Sequence, residues 1–154
     1  MNNTKIILDG YKIGDKNGGP TELAKILSNS LVACNGFNKN DLVKRYHHWW
    51  NTDAFDTGPT FAMVFQKLSK GYSIEEASKE IDKQLNGATA GCGPAHRIAP
   101  IASYTKIPTN QIVDCARQEA ALHIITLSQA TVQPLWLYFA GTLLRVIHGM
   151  KVKK

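Results

Sequence analysis

Three short stretches place glycine and small polar residues, two of them with carboxylates, just ahead of apolar helical patterns. They are Gly14-Asp15-Lys16-Asn17-Gly18-Gly19-Pro20-Thr21-Glu22, Phe55-Asp56-Thr57-Gly58-Pro59-Thr60 and Thr89-Ala90-Gly91-Cys92-Gly93-Pro94-Ala95-His96-Arg97. Each delivers backbone amides to the start of a helix, where the dipole favours an anion. Glycine also lets a bulky group come close to the backbone. Three such stretches in one chain suit a ligand rich in phosphate and sugar. They equally suit plain helix–helix connectors that need sharp turns. Asp15, Glu22 and Asp56 are the carboxylates within the first two stretches. They could hold one cation or act as a general acid–base pair. An aspartate beside a glycine turn also serves as a helix cap.

Other chemistries find less support. His47 and His48 are adjacent, so a helix would point them in different directions, a poor arrangement for one metal. His148 falls at the expected end of the last helix, and no H-E-x-x-H pattern occurs. The three cysteines, Cys34, Cys92 and Cys115, are odd in number and form no C-x-x-C pair. Reduced thiols in a cytoplasmic protein are the expectation.

Positioning these stretches falls to helices. Leu23, Ile26, Leu27, Ser30, Leu31 and Cys34 recur at spacings of three and four. They predict a helix from Thr21, with Pro20 in its first turn and Asn35-Gly36 as its stop. Further helices are predicted from Asn40 or Asp41 to Trp50, from Pro59 to Ser69, and from Ser73 to about Leu85. Three more are expected from Ala95 to Tyr104, from Thr109 or Asn110 to about His123, and from about Ser128 to His148. Pro134 should kink or break the last of these. The first twenty residues, rich in Gly, Asn, Lys and Asp, read as a loop. No sustained alternation of apolar and polar residues appears, so the expected class is all-α.

The 154 residues are 44% hydrophobic and 19% charged, which excludes a disordered chain, a collagen-like chain and a coiled-coil rod. One domain over residues 1–150 with a basic tail at 151–154 is expected. The net charge is +6, but Lys151, Lys153 and Lys154 supply half of it. A nucleic-acid partner is therefore not expected. Lys44 to Trp50 is the sole basic and aromatic cluster, and Leu42, Tyr46, Trp49 and Trp50 share one helical face there. The apolar run at Ile6 to Leu8 is too short for a secretory signal. Leu135 to Leu144 is too short to span a bilayer, so no membrane partner is expected.

Four segments resemble one family. GDKNGGPTELAKILSNSL is similar to the opening motif of the ADP-ribosylglycohydrolases. DLVKRYHHWWNTDAFDTGPTFAMVFQKLSKG resembles that family's tryptophan-bearing helix and its glycine–threonine turn. AGCGPAHRIAPIA resembles its AGNG-x-x-M-R-x-x-P loop, and ARQEAALHIITLSQA the segment holding its Leu-Thr-His triplet. The four occur in the family's order and span about residues 8 to 149. The resemblance implies an orthogonal bundle of helices, a shortened form of the family's domain, with a cleft for ADP-ribose. It also implies Mg²⁺ and hydrolysis of the bond between ribose and a protein side chain or small molecule.

Residue by residue, the resemblance places Gly91, Gly93 and Arg97 near the diphosphate and ribose. His123 falls on the triplet's histidine, which would bond the ribose, and Gly58 and Thr60 fall on the glycine–threonine turn. Gly18, Gly19, Thr21, Cys92 and His96 complete the expected ligand-binding set. Glu22, Asp15 and Asp56 are the catalytic candidates, with Asp15 and Asp56 also the metal candidates. The sequence departs from the family at several points. If Thr21 matches the last threonine of the family's Thr-Asp-Asp-Thr, Gly19 and Pro20 replace two metal-binding carboxylates. The family's later Asp-x-Asp-Thr cluster has no counterpart, and Cys92 and His96 replace an asparagine and a methionine. A binding protein without hydrolase activity is the alternative. A homo-oligomer is a further expectation, its contact formed by Leu135, Trp136, Tyr138, Phe139, Leu143 and Leu144.

Overall fold

The computed structural model describes residues 3–89 and 91–124. Among them the chain is all-α, with no strand. The helices are α1 (Asn3–Gly14), α2 (Gly19–Ala33), α3 (Lys39–Thr52), α4 (Pro59–Leu68), α5 (Ile74–Gln84), α6 (Ala99–Ser103) and α7 (Ile112–Ala120). A single 3₁₀ turn, Thr109–Gln111, leads into α7.

The helix of α1 corrects the expectation of a loop over the first twenty residues. Packing on α2 and α6 holds it, and Tyr11 anchors it against α6 by accepting a hydrogen bond from Ala99 N at 3.3 Å. The predicted helix from Ala95 to Tyr104 shortens to α6. Residues 92–97 form turns instead, with Arg97 N bonding Pro94 O at 3.2 Å. The helix expected to reach His123 ends at Ala120, and His123 lies in the turn beyond it. The predicted helix from Ser128 to His148, the oligomer contact and the basic tail lie outside the described residues.

Local signals explain the remaining ends. Asn38, not Asn40 or Asp41, caps α3 by accepting from Asp41 N at 3.0 Å. Asp41 is engaged elsewhere, with Ser30 Oγ at 2.6 Å and Arg45 Nε at 2.6 Å. Ser73 and Glu76 form a reciprocal capping box at the start of α5.

The core follows the predicted stripes. Leu23, Leu27 and Leu31 of α2 meet Leu42, Tyr46 and Trp49 of α3, and Phe61, Val64, Phe65 and Leu68 of α4. Phe61 and Phe65 stack at 4.1 Å, and Tyr46 and Trp49 meet Phe61 edge-on at 6.0 and 6.3 Å. The aromatic cluster of α3 thus belongs largely to the core, with Trp50 half-buried at its border. No described helix is long and apolar enough to cross a membrane.

Candidate functional site

The three glycine stretches meet. They enclose a cavity of about 290 Å³, with Pro20 and Leu23 from the first stretch and the start of α2. Asp56, Thr57, Gly58, Pro59, Thr60 and Phe61 come from the second stretch and the start of α4. Gly91, Cys92, Gly93, His96 and Arg97 come from the third, and His123 closes the set. Asp56, Gly58, Thr60, Gly91, Cys92, Gly93, His96, Arg97 and His123 are thus brought together around one cavity, whereas Asp15, Gly18, Gly19, Thr21 and Glu22 are not in its lining. Gly58 has no side chain to cap α4, so the first N–H groups of that helix lack a side-chain acceptor at the cavity's edge.

The rest of the first stretch stands behind this lining. Asp15 Oδ2 accepts from Thr21 N at 3.0 Å and from Thr21 Oγ1 at 2.8 Å. Asp56 Oδ2 accepts from Gly19 N at 3.1 Å. Two carboxylates therefore cap α2, one from before it and one from the loop ahead of α4, and the helix dipole favours both. Asp56 reaches this position through a left-handed backbone, φ 49°, which aspartate tolerates. Gly18 and Gly19 allow the approach. A Cβ on Gly18 would lie 2.6 Å from Asp56 Oδ2 and 2.9 Å from both oxygens of Asp15, and one on Gly19 would collide with the backbone oxygens of Phe55 and Asp56. Glu22 stands apart: it pairs with Lys25, half-buried, and does not line the cavity.

Beneath the cavity lies a buried polar cluster. Arg97 and Glu119 are only 2% and 0% exposed, and Arg97 Nε donates to Glu119 Oε1 at 2.5 Å. Tyr46 Oη donates to the same oxygen at 3.1 Å. Arg97 Nη2 lies 3.3 Å from His123 Nδ1, and the His123 ring meets Phe61 edge-on at 5.5 Å. Burial pushes His123 well below the usual histidine range, and the Arg97 charge adds to the effect. Burial opposes the charge of Arg97 too, but Glu119 and Tyr46 outweigh it and hold the guanidinium above its usual value. Burial, then Glu119, raises Tyr46 well above a free phenol.

Tyr46 and Glu119 were not among the predicted site residues. Glu119 did carry a signal. It occupies the stripe of Ile112, Cys115 and Ala116, where an apolar residue would be expected. A carboxylate there needs a buried partner.

A second hollow of about 580 Å³ adjoins the first, sharing Pro20 and His96 as lining. Its walls are largely apolar, from α1, α6 and α7, with Asp15, Tyr11 and Arg117 as polar members. Burial pushes the Tyr11 phenol up to about 12, against the hydrogen bond from Ala99.

The family model of the ADP-ribosylglycohydrolases matches residues 14–132, most of the chain and all three glycine stretches. The chain belongs to the ADP-ribosylglycohydrolase family. No curated protein and no solved structure matches it. Membership agrees with the all-α fold.

The described residues contain no group of three or more His, Cys, Asp or Glu side chains able to hold a metal ion. The pair Asp15 and Asp56 is the nearest approach. Their oxygens converge beside Gly18, and Oδ1 of each accepts no hydrogen bond from a described residue. Should a hard cation bind here, these two carboxylates are the ones that could contact it.

Proposed function

We propose that this ADP-ribosylglycohydrolase family member binds ADP-ribose, or a related nucleotide sugar, in the cavity between the three glycine stretches, and hydrolyses the ribose glycosidic bond of an ADP-ribosylated protein or small molecule. The carrying observation is the convergence of all three stretches on one hollow with Arg97 and His123 in its wall. Its volume lies at the lower edge of ligand pockets, roughly 300–1,000 Å³. That suits a ribose with its phosphate better than a whole dinucleotide, so the rest of the ligand extends past the rim. The uncapped start of α4 favours a phosphate.

Asp56 is the one carboxylate in the lining among the described residues, and the proton transfers of hydrolysis fall to it. His123 and Arg97 hold the ribose, and the loop 91–93 lies against the sugar without side-chain bulk apart from Cys92. Asp15 and Asp56 would hold Mg²⁺, which when bound orients ribose hydroxyls and activates water. A cytoplasmic setting accords with three free thiols.

Binding without hydrolysis is the second reading. It is favoured by Glu22, whose carboxylate is engaged by Lys25 outside the lining. Titration of the full chain with ADP-ribose, with and without Mg²⁺, tests the shared claim. At 100 times its dissociation constant the ligand should add ~2.7 kcal/mol of stability. Release of ADP-ribose from a modified peptide separates the readings. Hydrolysis requires that Asp56→Asn lower the rate by about 10²–10⁴-fold. Binding with no release supports the second reading, and no binding rejects both.

A further inference from the structure

We propose that Glu119 is a positioning residue: through Arg97 it fixes His123 in the tautomer that carries its proton on Nε2, so the cavity presents a permanent hydrogen-bond donor rather than a proton-transferring base. The oxygen it meets, on the reading above, belongs to the ligand's ribose.

The geometry carries the assignment. Arg97 Nη2 lies 3.3 Å from His123 Nδ1. A guanidinium has five N–H donors and no acceptor, so Nδ1 must be the partner with the lone pair. The single ring proton then sits on Nε2, as the bond made by one ring nitrogen decides the state of the other. Nε2 is the atom turned towards the glycine loop, 3.8 Å from where a Cβ of Gly93 would stand. It has no hydrogen-bond partner among the described residues, yet the sole fully enclosed side-chain atom without a partner there is Glu119 Oε2. Nε2 therefore keeps an opening to the cavity that His123 lines.

Arg97 can hold Nδ1 because it is itself held. Its Nε is bound to Glu119 Oε1 at 2.5 Å, and that oxygen is fixed in turn by Tyr46 Oη at 3.1 Å. The guanidinium is also flanked by the Tyr46 and Phe61 rings, each 5.8 Å away. Glu119 does not line the cavity, so its effect on a ligand passes through Arg97 and His123.

The test is a long-range ¹H–¹⁵N spectrum of the full chain labelled at histidine, recorded without ligand between about pH 6 and pH 8. The expected result for His123 is a neutral ring with the Nε2–H tautomer in roughly tenfold excess or more, set by a charged donor on Nδ1. A cationic ring or an Nδ1–H tautomer at neutral pH would overturn the proposal. In Glu119→Gln the excess should fall to a mixture of tautomers, and an unchanged pattern overturns the role of Glu119. If that variant does not fold, the double variant Glu119→Leu/Arg97→Met removes both buried charges together. There too the mixture is expected and a retained excess refutes. ADP-ribose is added last. If it does not bind while Nε2–H persists, the proposed function fails and the positioning role stands.

Discussion

Gly19→Ala probes how the site is assembled. The new Cβ would stand 2.6 Å from Phe55 O, with Asp56 O nearer still, where ordinary contact begins at 3.4 Å. Both obstacles are backbone atoms, and the nearer one sets the displacement, so the 55–56 loop must retreat by about 1 Å, an overpacking that costs ~1–3 kcal/mol. Retreat also draws Asp56 Oδ2 away from Gly19 N, a charged hydrogen bond worth ~1.5–3 kcal/mol. The two costs together come to ~2.5–6 kcal/mol, or ~5–24 °C in melting temperature for a chain of this length. Urea denaturation followed by circular dichroism measures it. Gly10→Ala is the control. Nothing lies within 4 Å of its Cβ in α1, so that change should stabilise by ~0.5–1 kcal/mol. If Gly19→Ala is no less stable than Gly10→Ala, the two loops are not in contact and the reasoning fails.

Glu119→Ala should cost ~3–5 kcal/mol, because it leaves the Arg97 charge buried and unpaired, and Glu119→Leu/Arg97→Met should recover most of that in the same denaturation assay. Equal losses in the two variants would contradict it. His123 makes stability depend on pH. Its folded pKa lies well below the unfolded value of about 6.5, so within that window the unfolded chain binds a proton that the native chain does not. The contribution is complete above about pH 6.5 and is lost as pH falls through the window, by up to ~1.4 kcal/mol per unit. Urea midpoints at about pH 7.5 and about pH 5.5 should differ more in the wild type than in His123→Gln, and equal differences would refute the assignment.

Much of this architecture was legible because it rests on local rules. The apolar spacing of Leu23, Leu27 and Leu31 announces α2, and Ser73 with Glu76 announces α5. Helix α1 was not legible, since Gly10, Gly14 and a polar composition argue for a loop, and its stability comes from packing on α2 and α6. The third stretch resisted because Pro100 is tolerated in the first turn of α6 but not in the interior of a helix begun at Ala95. Within the site, Gly58, Gly91 and Gly93 line the cavity, whereas Gly18 and Gly19 stand behind it against Asp15 and the 55–56 loop. What the glycines could not show was the second layer, because the bond from Glu119 to Arg97 and Tyr46 depends on α3 and α7 being brought together. For Asp15 and Asp56 the sequence allows both a capping and a catalytic role. Their bonds to α2 show capping through Oδ2 of each.

The cap on Gly19 N comes from a residue 37 positions downstream. The first turn of α2 is therefore completed by tertiary structure rather than by its own neighbourhood. Fraying of that turn and opening of the cavity wall are one event, since Pro20 belongs to both. Amide exchange at Gly19 should consequently slow whenever the hollow is filled, making the backbone of this one turn a reporter of occupancy even for ligands that never touch it.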